Sequence, residues 1–532
     1  MKQDVRYLDG MTGHGPFRLT EDGAKPNIVF ISLDMVPREF YLGGVPKAFT
    51  PNLQALQDGH IFFSRAYATS PLCSPSRAAY LTGRHSYITT NSERAHDGHE
   101  VHLRESDIIY PEYLKALGYQ VRHVGKCHVG AHKFVDVFSE NDSPWDRWSP
   151  PWFDDDSYTK FLRQKGLDRL VFSRSITGRN LVGEEGGSFY GGWIANQGGN
   201  PFPKDATYPA FLVERAIQTL ESRGDREAPV YLQLDFFGPH QPFAIPGGME
   251  EREVAIRKEI ELPKSYQEIQ NNDYQPPWQE PRVYQLYRRS WGLNDSKTLV
   301  DYRVANQLQF ELLDEMIGRL FDSLKEQGLY DDTWIVVIAD HGEMNGEWAL
   351  IDKGAFLNPQ VIQVPIFMKP DSKSEYADRR LRIDEPVSLV DLAPTLLGLV
   401  GVETDTRMDG VSLLNALKGS ERACEKPILA EVWSHAIPNP CIGIVISASD
   451  ENSYLYSFNT SDEIDELYSL ELGAPLVNLG TDDTYRSIQD EALNRLYGYT
   501  VQDVRWRGYK AFLELTHAER IVGIGGDRQL FF

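Results

Sequence analysis

Four predicted strands of this chain lead into segments with polar residues that could bind a ligand. The first, NIVFISL at 27–33, is a continuous apolar run that ends in Asp34. The other three cover residues 119–124, 230–236 and 333–339, and each is followed by a segment that contains histidine. A continuous apolar run is typical of a strand buried on both faces of a parallel sheet. In an open α/β sheet, ligands bind at the carboxyl ends of the strands.

Helical patterns alternate with these strands. Apolar residues recur at four-residue steps over about 301–327, which predicts a long helix there. Shorter helices are predicted from Pro51, over 75–81 and over 391–400, and another strand over 364–368. This alternation predicts an α/β fold with a mostly parallel sheet covered by helices on both faces.

The pattern changes near residue 425. Short alternating segments such as CIGIVISA and SYLYSF follow, and then a polar helix. We therefore predict a catalytic α/β domain over 25–425 and a smaller α+β domain over 426–532. Two segments without clear periodicity, at about 139–204 and 245–298, are predicted to be irregular insertions in the first domain. Long insertions of this kind usually cover a functional site.

The charge of the chain argues against two classes of partner. Its 77 acidic and 54 basic residues give a formal net charge of −23, so a nucleic acid or an anionic membrane surface would be repelled. The four cysteines are too few and too unevenly spaced for a disulfide scaffold. The first residues contain no apolar segment typical of a secretory leader, and we expect a cytoplasmic protein.

The segment SPLCSPSRAAYLTGR at 70–84 is the most specific pattern in the chain. It contains Cys-x-Pro-x-Arg, formed by Cys73, Pro75 and Arg77, followed by LTGR. This pattern resembles the signature of the type I sulfatases, in which the cysteine is oxidised to formylglycine. The resemblance implies an alkaline-phosphatase-like fold, with a large mixed, mostly parallel sheet flanked by helices. It also implies a formylglycine-generating enzyme as a partner during maturation.

The oxidation of the cysteine has a chemical reason. A thiolate that attacked the sulfur of an ester would form a covalent adduct with no easy exit. In an aldehyde hydrate, one hydroxyl can attack the ester, and the other can then be deprotonated to expel the oxyanion and restore the aldehyde. Arg77 lies one helical turn after Cys73 and is placed to hold the hydrate, and the helix N-terminus adds a partial positive charge.

Further segments match the same family in the expected order along the chain. The residues that match metal ligands of the family are Asp34, Asp340, His341 and the formylglycine made from Cys73. The resemblance implies one divalent metal ion, calcium in most members. Many members carry a second aspartate directly after the first ligand, where this chain has Met35. A thioether is a poor ligand for a hard cation, so the site has one oxygen ligand fewer, and manganese is an alternative to calcium. Asn345 or a water could supply the missing oxygen.

A second group of matches has roles in substrate binding and catalysis. These residues are Cys73, Arg77, Lys126, His128, His240 and Lys353. The resemblance implies that Lys126 and His128 bind the sulfate and the formylglycine hydroxyl. It implies that His240 and Lys353 bind the sulfate and serve the leaving group. A lone lysine or histidine is usually solvated or structural, but several motifs in the family's order favour the functional interpretation.

Other residues near these motifs have roles that the sequence leaves open. Aromatic residues of the insertions could stack on a sugar or aryl leaving group, although structural cover is the commoner role. They are Trp145, Trp148, Trp152, Tyr190 and Trp193. His96, His99 and His102 could line the pocket or lie in a solvated loop. Cys127, inside the GKCH segment, is predicted to pack rather than to react.

The sequence therefore predicts a sulfatase that hydrolyses a sulfate monoester to an alcohol or phenol and inorganic sulfate. Phosphonate monoester hydrolases and related phosphodiesterases share the machinery, and the missing second aspartate keeps this alternative open. A non-catalytic binding protein of the same fold is a third alternative, although the matched positions other than Met35 are intact. The basic site in an acidic protein favours a small anionic ester as substrate over an extended polyanion. The sequence is also compatible with an oligomer.

Overall fold

The computed structural model describes most of the chain, with gaps at both ends and at several internal positions. The described residues are 25–85, 102–138, 142–178, 188–291, 295–403, 408–418, 427–448, 452–460, 464–471 and 474–500. Within them, the protein forms a large central sheet covered by helices, and two smaller sheets.

Sixteen strands and fifteen α-helices lie within the described residues. The strands are β1 (Asn27–Asp34), β2 (Ile61–Tyr67), β3 (Gln120–Lys126), β4 (Asp142–Trp145), β5 (Val171–Thr177), β6 (Phe189–Ala195), β7 (Val230–Pro239), β8 (Phe243–Ile245), β9 (Thr333–Ala339), β10 (Gln363–Lys369), β11 (Leu381–Ile383), β12 (Val387–Ser388), β13 (Ile428–His435), β14 (Ile437–Ser447), β15 (Ser453–Asn459) and β16 (Glu466–Ser469). The helices are α1 (Glu39–Leu42), α2 (Pro51–Gly59), α3 (Cys73–Thr82), α4 (Tyr110–Ala116), α5 (Ala131–Val137), α6 (Asp156–Gln164), α7 (Tyr208–Glu221), α8 (Glu250–Glu259), α9 (Lys264–Asn271), α10 (Arg282–Ser290), α11 (Ser296–Glu326), α12 (Pro359–Ile362), α13 (Leu392–Leu399), α14 (Leu414–Leu417) and α15 (Arg486–Thr500).

The central sheet is mixed and mostly parallel. Eight of its nine described strands have the order β11-β2-β10-β9-β1-β7-β3-β4, and β12 pairs with β2. β1 runs parallel to both of its neighbours, β7 and β9, whereas β10 runs antiparallel to β2 and β9. Every residue of β1 after Asn27 is buried, as expected for a strand covered on both faces. The predicted fold class is therefore confirmed.

Two helices begin earlier than the sequence predicts. α11 begins at Ser296, because the carboxylate of Asp295 accepts the backbone N–H of Thr298 at 3.1 Å and caps the first turn. α3 begins at Cys73 rather than at Pro75, and Gly83, with a φ of 68°, ends it. The predicted nucleophile is therefore the first residue of a helix.

The two insertions are not irregular, and this prediction was wrong. The first contains β4, α6, β5 and β6, and the second contains α8, α9 and α10. β5, β6 and β8 form a separate three-stranded sheet. In α8, Ile256 is the one buried residue, so this helix lacks the apolar stripe that makes a helix visible in a sequence.

A four-stranded antiparallel sheet forms the predicted smaller α+β unit. It contains β13 to β16, and α15 packs on it through Ala492, Leu493 and Leu496. The predicted boundary near residue 425 falls in 419–426, outside the described residues, so the division into two domains stays a prediction.

In the described part of the chain, no helix is long and apolar enough to cross a membrane. The cytoplasmic location stays a prediction.

Candidate active site

The candidate active site lies at the carboxyl ends of β1, β7 and β9. Asp34 is the last residue of β1, and Asp340 and His341 directly follow β9. The Asp340 N–H donates to the Leu33 carbonyl at 3.0 Å, which holds the two strand ends side by side. The His240 N–H donates to the Asp34 carbonyl at 3.0 Å. The segments after three strands therefore meet at one edge of the sheet.

Cys73 reaches this edge from the start of α3. Its Sγ lies 3.1 Å from Nε2 of His341 and 3.6 Å from Oδ1 of Asp34. Ser76, in the first turn of the helix, donates to the Asp340 carbonyl at 2.6 Å and connects the helix to the strand end. The ligand atoms of the four residues predicted to hold a metal lie within 4.8 Å of one another, and all four are buried.

Arg77 links the buried carboxylates. Its Nε donates to Oδ2 of Asp340 at 2.8 Å, and its guanidinium lies 3.8 Å from Asp34 and 3.6 Å from Asp235. Because Arg77 is fully buried, these carboxylates balance its charge. Its contact with the formylglycine hydrate stays a prediction.

Asp235, within β7, is a site residue that the sequence analysis missed. Its Oδ2 accepts a hydrogen bond from Nε2 of Gln233 at 2.7 Å and lies 3.0 Å from Nε2 of His123. The available signal was an acidic residue inside an otherwise apolar strand, since a buried carboxylate requires a partner.

Lys126 and His128 come from the end of β3 and the loop that follows. Nζ of Lys126 contacts Oδ2 of Asp34 and donates to the Trp148 carbonyl at 3.3 Å. The backbone carbonyl of His128 accepts a hydrogen bond from Ser74 Oγ, directly after Cys73, and the His128 ring lies close enough to influence the pKa of the Cys73 thiol. Both residues are buried. The structure therefore brings both predicted residues to the cysteine and its neighbouring carboxylate.

The charges around Cys73 favour an anion at this position. Burial opposes ionisation of the thiol, but Lys126, Lys353 and His341 outweigh burial and hold the pKa of Cys73 well below its usual value. Burial and the nearby charge of Asp34 raise the pKa of Asp340. The carboxylates of Asp34 and Asp340 repel each other, and the readily ionised Cys73 lies beside them. A bound cation would therefore stabilise the negative charge of this cluster.

The donor set fits a divalent cation. Two carboxylates and one imidazole are ligands that calcium, manganese and related ions use in proteins. Nδ1 of His341 lies 2.9 Å from the Gly342 carbonyl. This second hydrogen bond orients the ring, so that Nε2 points toward the cluster.

Met35 packs directly on the site. Its φ is 62°, and its N–H donates to Oδ1 of Asp340 at 3.2 Å. Its Sδ lies 3.6 Å from Nζ of Lys353. The residue that replaces the second aspartate therefore contacts a predicted substrate-binding lysine.

Asn345 has partners away from the cluster. Its Nδ2 donates to Oε1 of Glu39 at 2.7 Å, and its Oδ1 accepts from Nδ2 of Asn306 at 3.4 Å. These contacts occupy both ends of the amide, and the suggestion that Asn345 or a water supplies the missing oxygen ligand stays a prediction.

His240 and Lys353 form a pair beside Met35. Nζ of Lys353 contacts Nε2 of His240 and lies 3.3 Å from Oδ1 of Asp352. Burial disfavours the ammonium, but Asp352 and other anionic groups outweigh burial and hold the pKa of Lys353 above its usual value. Oδ2 of Asp352 accepts from Nε2 of Gln241 at 2.9 Å. The sequence analysis missed Asp352 and Gln241, although each directly neighbours a predicted residue.

A cavity of about 360 Å³ opens beside His240 and Lys353. Both insertions and the C-terminal sheet contribute to its walls. The other lining residues are Trp148, Ser188, Phe189, Tyr190, Gln241, Trp291, Asp352 and His435. Trp148 and Tyr190 were among the aromatic residues with an open role, whereas Trp291 and His435 were missed.

The remaining candidates lie elsewhere. Trp145, Trp152 and Trp193 pack against the protein body and do not line this cavity. Nδ1 of His102 lies 3.7 Å from Asp146, and His96 and His99 are outside the described residues. Cys127 is buried, and burial raises the pKa of its thiol, as expected for a residue that packs.

Replacing Asp340 with asparagine is expected to weaken the binding of a divalent cation by at least about 100-fold, because one of two carboxylate ligands is removed. The metal content of dialysed protein, measured by inductively coupled plasma mass spectrometry, tests this. Asp371→Asn is the matched control, since this carboxylate is also buried but accepts the Lys373 N–H at 2.9 Å, outside the cluster. Equal metal content in the wild type and Asp340→Asn would contradict the metal site.

The sheet and the site together define an α/β protein with a candidate metal centre at the carboxyl edge of its central strands. A model of the sulfatase family matches residues 26–402. The chain belongs to the sulfatase family. The predicted family and the prediction of a sulfuric ester hydrolase are thereby confirmed.

Similar proteins and structures support this assignment. The chain is 25% identical over 453 residues to "Uncharacterized sulfatase YidJ" of Escherichia coli (strain K12), covering 83% of this chain and 80% of that protein. It is 28% identical over 464 residues to "Choline-sulfatase" of Rhizobium meliloti (strain 1021), covering 84% and 80%. The crystal structure of phosphonate monoester hydrolase of Agrobacterium radiobacter matches with a TM-score of 0.66 at 20% identity, covering 90% of this chain and 96% of that chain. This structural match demonstrates the shared fold.

Proposed function

We propose that the protein hydrolyses a sulfate monoester to an alcohol or phenol and inorganic sulfate, using formylglycine made from Cys73 and one divalent cation. The observation that carries this proposal is the position of Cys73. It begins a helix in a Cys-x-Pro-x-Arg segment, with Sγ 3.1 Å from His341 and 3.6 Å from Asp34. Calcium is the proposed ion, and manganese is the alternative because Met35 leaves fewer oxygen ligands.

The residues around position 73 favour attack on the ester. When present, formylglycine would supply a hydroxyl nucleophile and the divalent cation a Lewis acid. Lys126 and His341 place positive charge beside position 73, and the same charges that lower the pKa of Cys73 would stabilise an oxyanion there. The ring of His128 lies beside position 73, and we infer that it holds a proton at the attacking atom.

His240 and Lys353 act on the leaving oxygen, on the side of the scissile bond opposite to the attacking group at position 73. They line the cavity, and Asp352 keeps the Lys353 ammonium charged. We infer that this pair supplies positive charge and a proton to the leaving oxygen as its bond to sulfur breaks. Loss of a proton from the second hydroxyl of the hydrate would then expel the sulfate and restore the aldehyde, and water would rehydrate it, so that one sulfate ester and one water yield one alcohol and one hydrogen sulfate.

Lys353→Met is expected to lower kcat/KM by about 10²-fold to 10⁴-fold, and more for alkyl esters than for aryl esters. An alcohol of high pKa leaves poorly without a proton, whereas an acidic phenol leaves readily. Plotting log kcat/KM against the pKa of the leaving alcohol should therefore give a steeper slope for the variant.

Lys369→Met is the matched control for this slope. Lys369 is also a buried lysine, but its Nζ donates to the carbonyls of Tyr330 and Pro370 at 2.8 and 2.9 Å. Parallel plots for the wild type and Lys353→Met would exclude a role of Lys353 at the leaving group.

The proposed function is tested by mass spectrometry of the tryptic peptide AYATSPLCSPSR, residues 66–77, together with an aryl sulfate assay. Formylglycine at position 73 with turnover of the ester would support it. Unmodified cysteine and no turnover, in protein from a host that performs the conversion, would contradict it and favour a non-catalytic binding protein.

Hydrolysis of phosphonate monoesters or phosphodiesters is the second candidate function. Met35 favours this second function, because it occupies the position of the second aspartate common in sulfatases. Its thioether contacts Lys353 instead of offering an oxygen ligand. Sulfate, phosphonate and phosphodiester substrates with the same phenol as leaving group separate the two. A higher kcat/KM for the phosphonate ester would assign this second function.

A further inference from the structure

The cavity beside His240 and Lys353 has aromatic walls. We term Trp148, Phe189, Tyr190, Trp291 and His435 the leaving-group slot, because they surround the space next to this pair. The ring centroids of Trp148 and His240 lie 5.7 Å apart. The slot therefore begins beside the two residues proposed to contact the leaving oxygen, where the alcohol part of a bound ester would lie.

Part of the slot is rigid, and part presents open ring surface. The Tyr190 hydroxyl donates to the Trp291 carbonyl at 3.0 Å, and the Trp291 ring packs edge-to-face on His435 with centroids 4.7 Å apart. Trp148 and Phe189 are 47% and 46% exposed. Large apolar rings with this much exposed area gain from contact with a flat apolar ligand.

The described lining residues of the cavity contain one pair of opposite charges. Among the lining residues that the structure describes, Lys353 is the one lysine or arginine and Asp352 the one carboxylate, and they lie 3.3 Å apart. His435 is neutral near pH 7, because burial lowers its pKa to about 3. Among these described lining residues, a second sulfate group on the substrate would meet no additional lysine or arginine, and a quaternary ammonium group would meet no carboxylate other than Asp352.

We propose that the slot binds an uncharged aromatic alcohol, so that the substrate is an aryl ester of one or two rings, with Trp148 as the specificity-determining residue. This proposal rests on the proposed function and specifies its leaving group. A cavity of about 150 Å³ accommodates benzene. The volume of about 360 Å³ therefore has room for a leaving group of about two rings.

Turnover of four esters tests the slot. Phenyl and naphthyl sulfates with phenols of matched acidity are compared with choline sulfate and with a disulfated hexosamine. The expected kcat/KM is highest for the naphthyl ester, and Trp148→Ala should reduce the naphthyl-to-phenyl ratio by about tenfold. Phe153→Ala is the matched control, because Phe153 is 45% exposed in the same insertion but does not line the slot. A preference for either charged substrate, or equal ratios in Trp148→Ala and Phe153→Ala, would overturn the proposal.

Binding of 2-naphthol by the full-length protein, measured by isothermal titration calorimetry, provides a readout that needs no turnover. The dissociation constant should rise about tenfold in Trp148→Ala and stay at the wild-type value in Phe153→Ala. An unchanged constant in Trp148→Ala would overturn the slot even if esters are hydrolysed. If no ester is hydrolysed, the proposed function fails, while naphthol binding that depends on Trp148 still supports an aromatic site.

Discussion

Cys73→Ala is expected to lower kcat/KM for a sulfate ester by about 10⁵-fold or more, because it removes the predicted nucleophile. No other cysteine in the described part of the chain has equivalent surroundings. Burial raises the pKa of the Cys127 and Cys441 thiols, whereas cationic neighbours lower that of Cys73. Steady-state kinetics measures the loss, and circular dichroism verifies that the variant is folded.

Cys441→Ala is the matched control for this loss. Cys441 is equally buried, but it lies in β14 of the C-terminal sheet. This variant should keep the activity of the wild type, since its side chain packs outside the catalytic cluster. A Cys73→Ala variant within about tenfold of the wild type would contradict a mechanism through position 73.

Arg77→Met is expected to lower the free energy of unfolding by about 3–5 kcal/mol. The guanidinium is fully buried, 2.8 Å from Asp340, 3.8 Å from Asp34 and 3.6 Å from Asp235. Removing it leaves several buried carboxylates without their cation, in a region where water cannot solvate them. Urea unfolding of metal-free protein at neutral pH measures the difference.

An exposed ion pair provides the control for Arg77. Arg382 lies 2.9 Å from Asp384, and the two side chains are 45% and 52% exposed, so Arg382→Met should cost less than about 1 kcal/mol. Adding Asp235→Asn to Arg77→Met should recover part of the lost stability, because it removes one uncompensated charge. A loss below about 1 kcal/mol in Arg77→Met would show that the carboxylates do not depend on this arginine.

The parallel sheet and the edge that carries the site were predictable from local patterns. The run NIVFISL ends in Asp34, and TWIVVIA ends in Asp340 and His341. Buried parallel strands leave such runs because both of their faces are covered, and their carboxyl ends necessarily meet at one edge. The motif around Cys73 indicated the remaining member of the cluster, which the structure brings within 4.8 Å of the other three.

One helix of the second insertion was harder to predict, because it buries little surface. α8 has a single buried residue, Ile256, so no periodic pattern distinguishes this helix from a loop. Asp235 and Asp352 were missed for a different reason. Each acts through a neighbouring cation, and such a pairing depends on distances that a sequence does not contain.

Local sequence thus determined the central strands that carry the site, the long helix and the chemical types of the motif residues, because periodicity, capping and motif spacing are properties of adjacent residues. The surroundings of these residues depended on tertiary structure. Trp148, Tyr190, Trp291 and His435 come from separate elements and meet in one cavity only when both insertions and the C-terminal sheet pack around the strand ends. The shape and charge of the space beside His240 and Lys353 therefore follow from long-range packing, which no local pattern encodes.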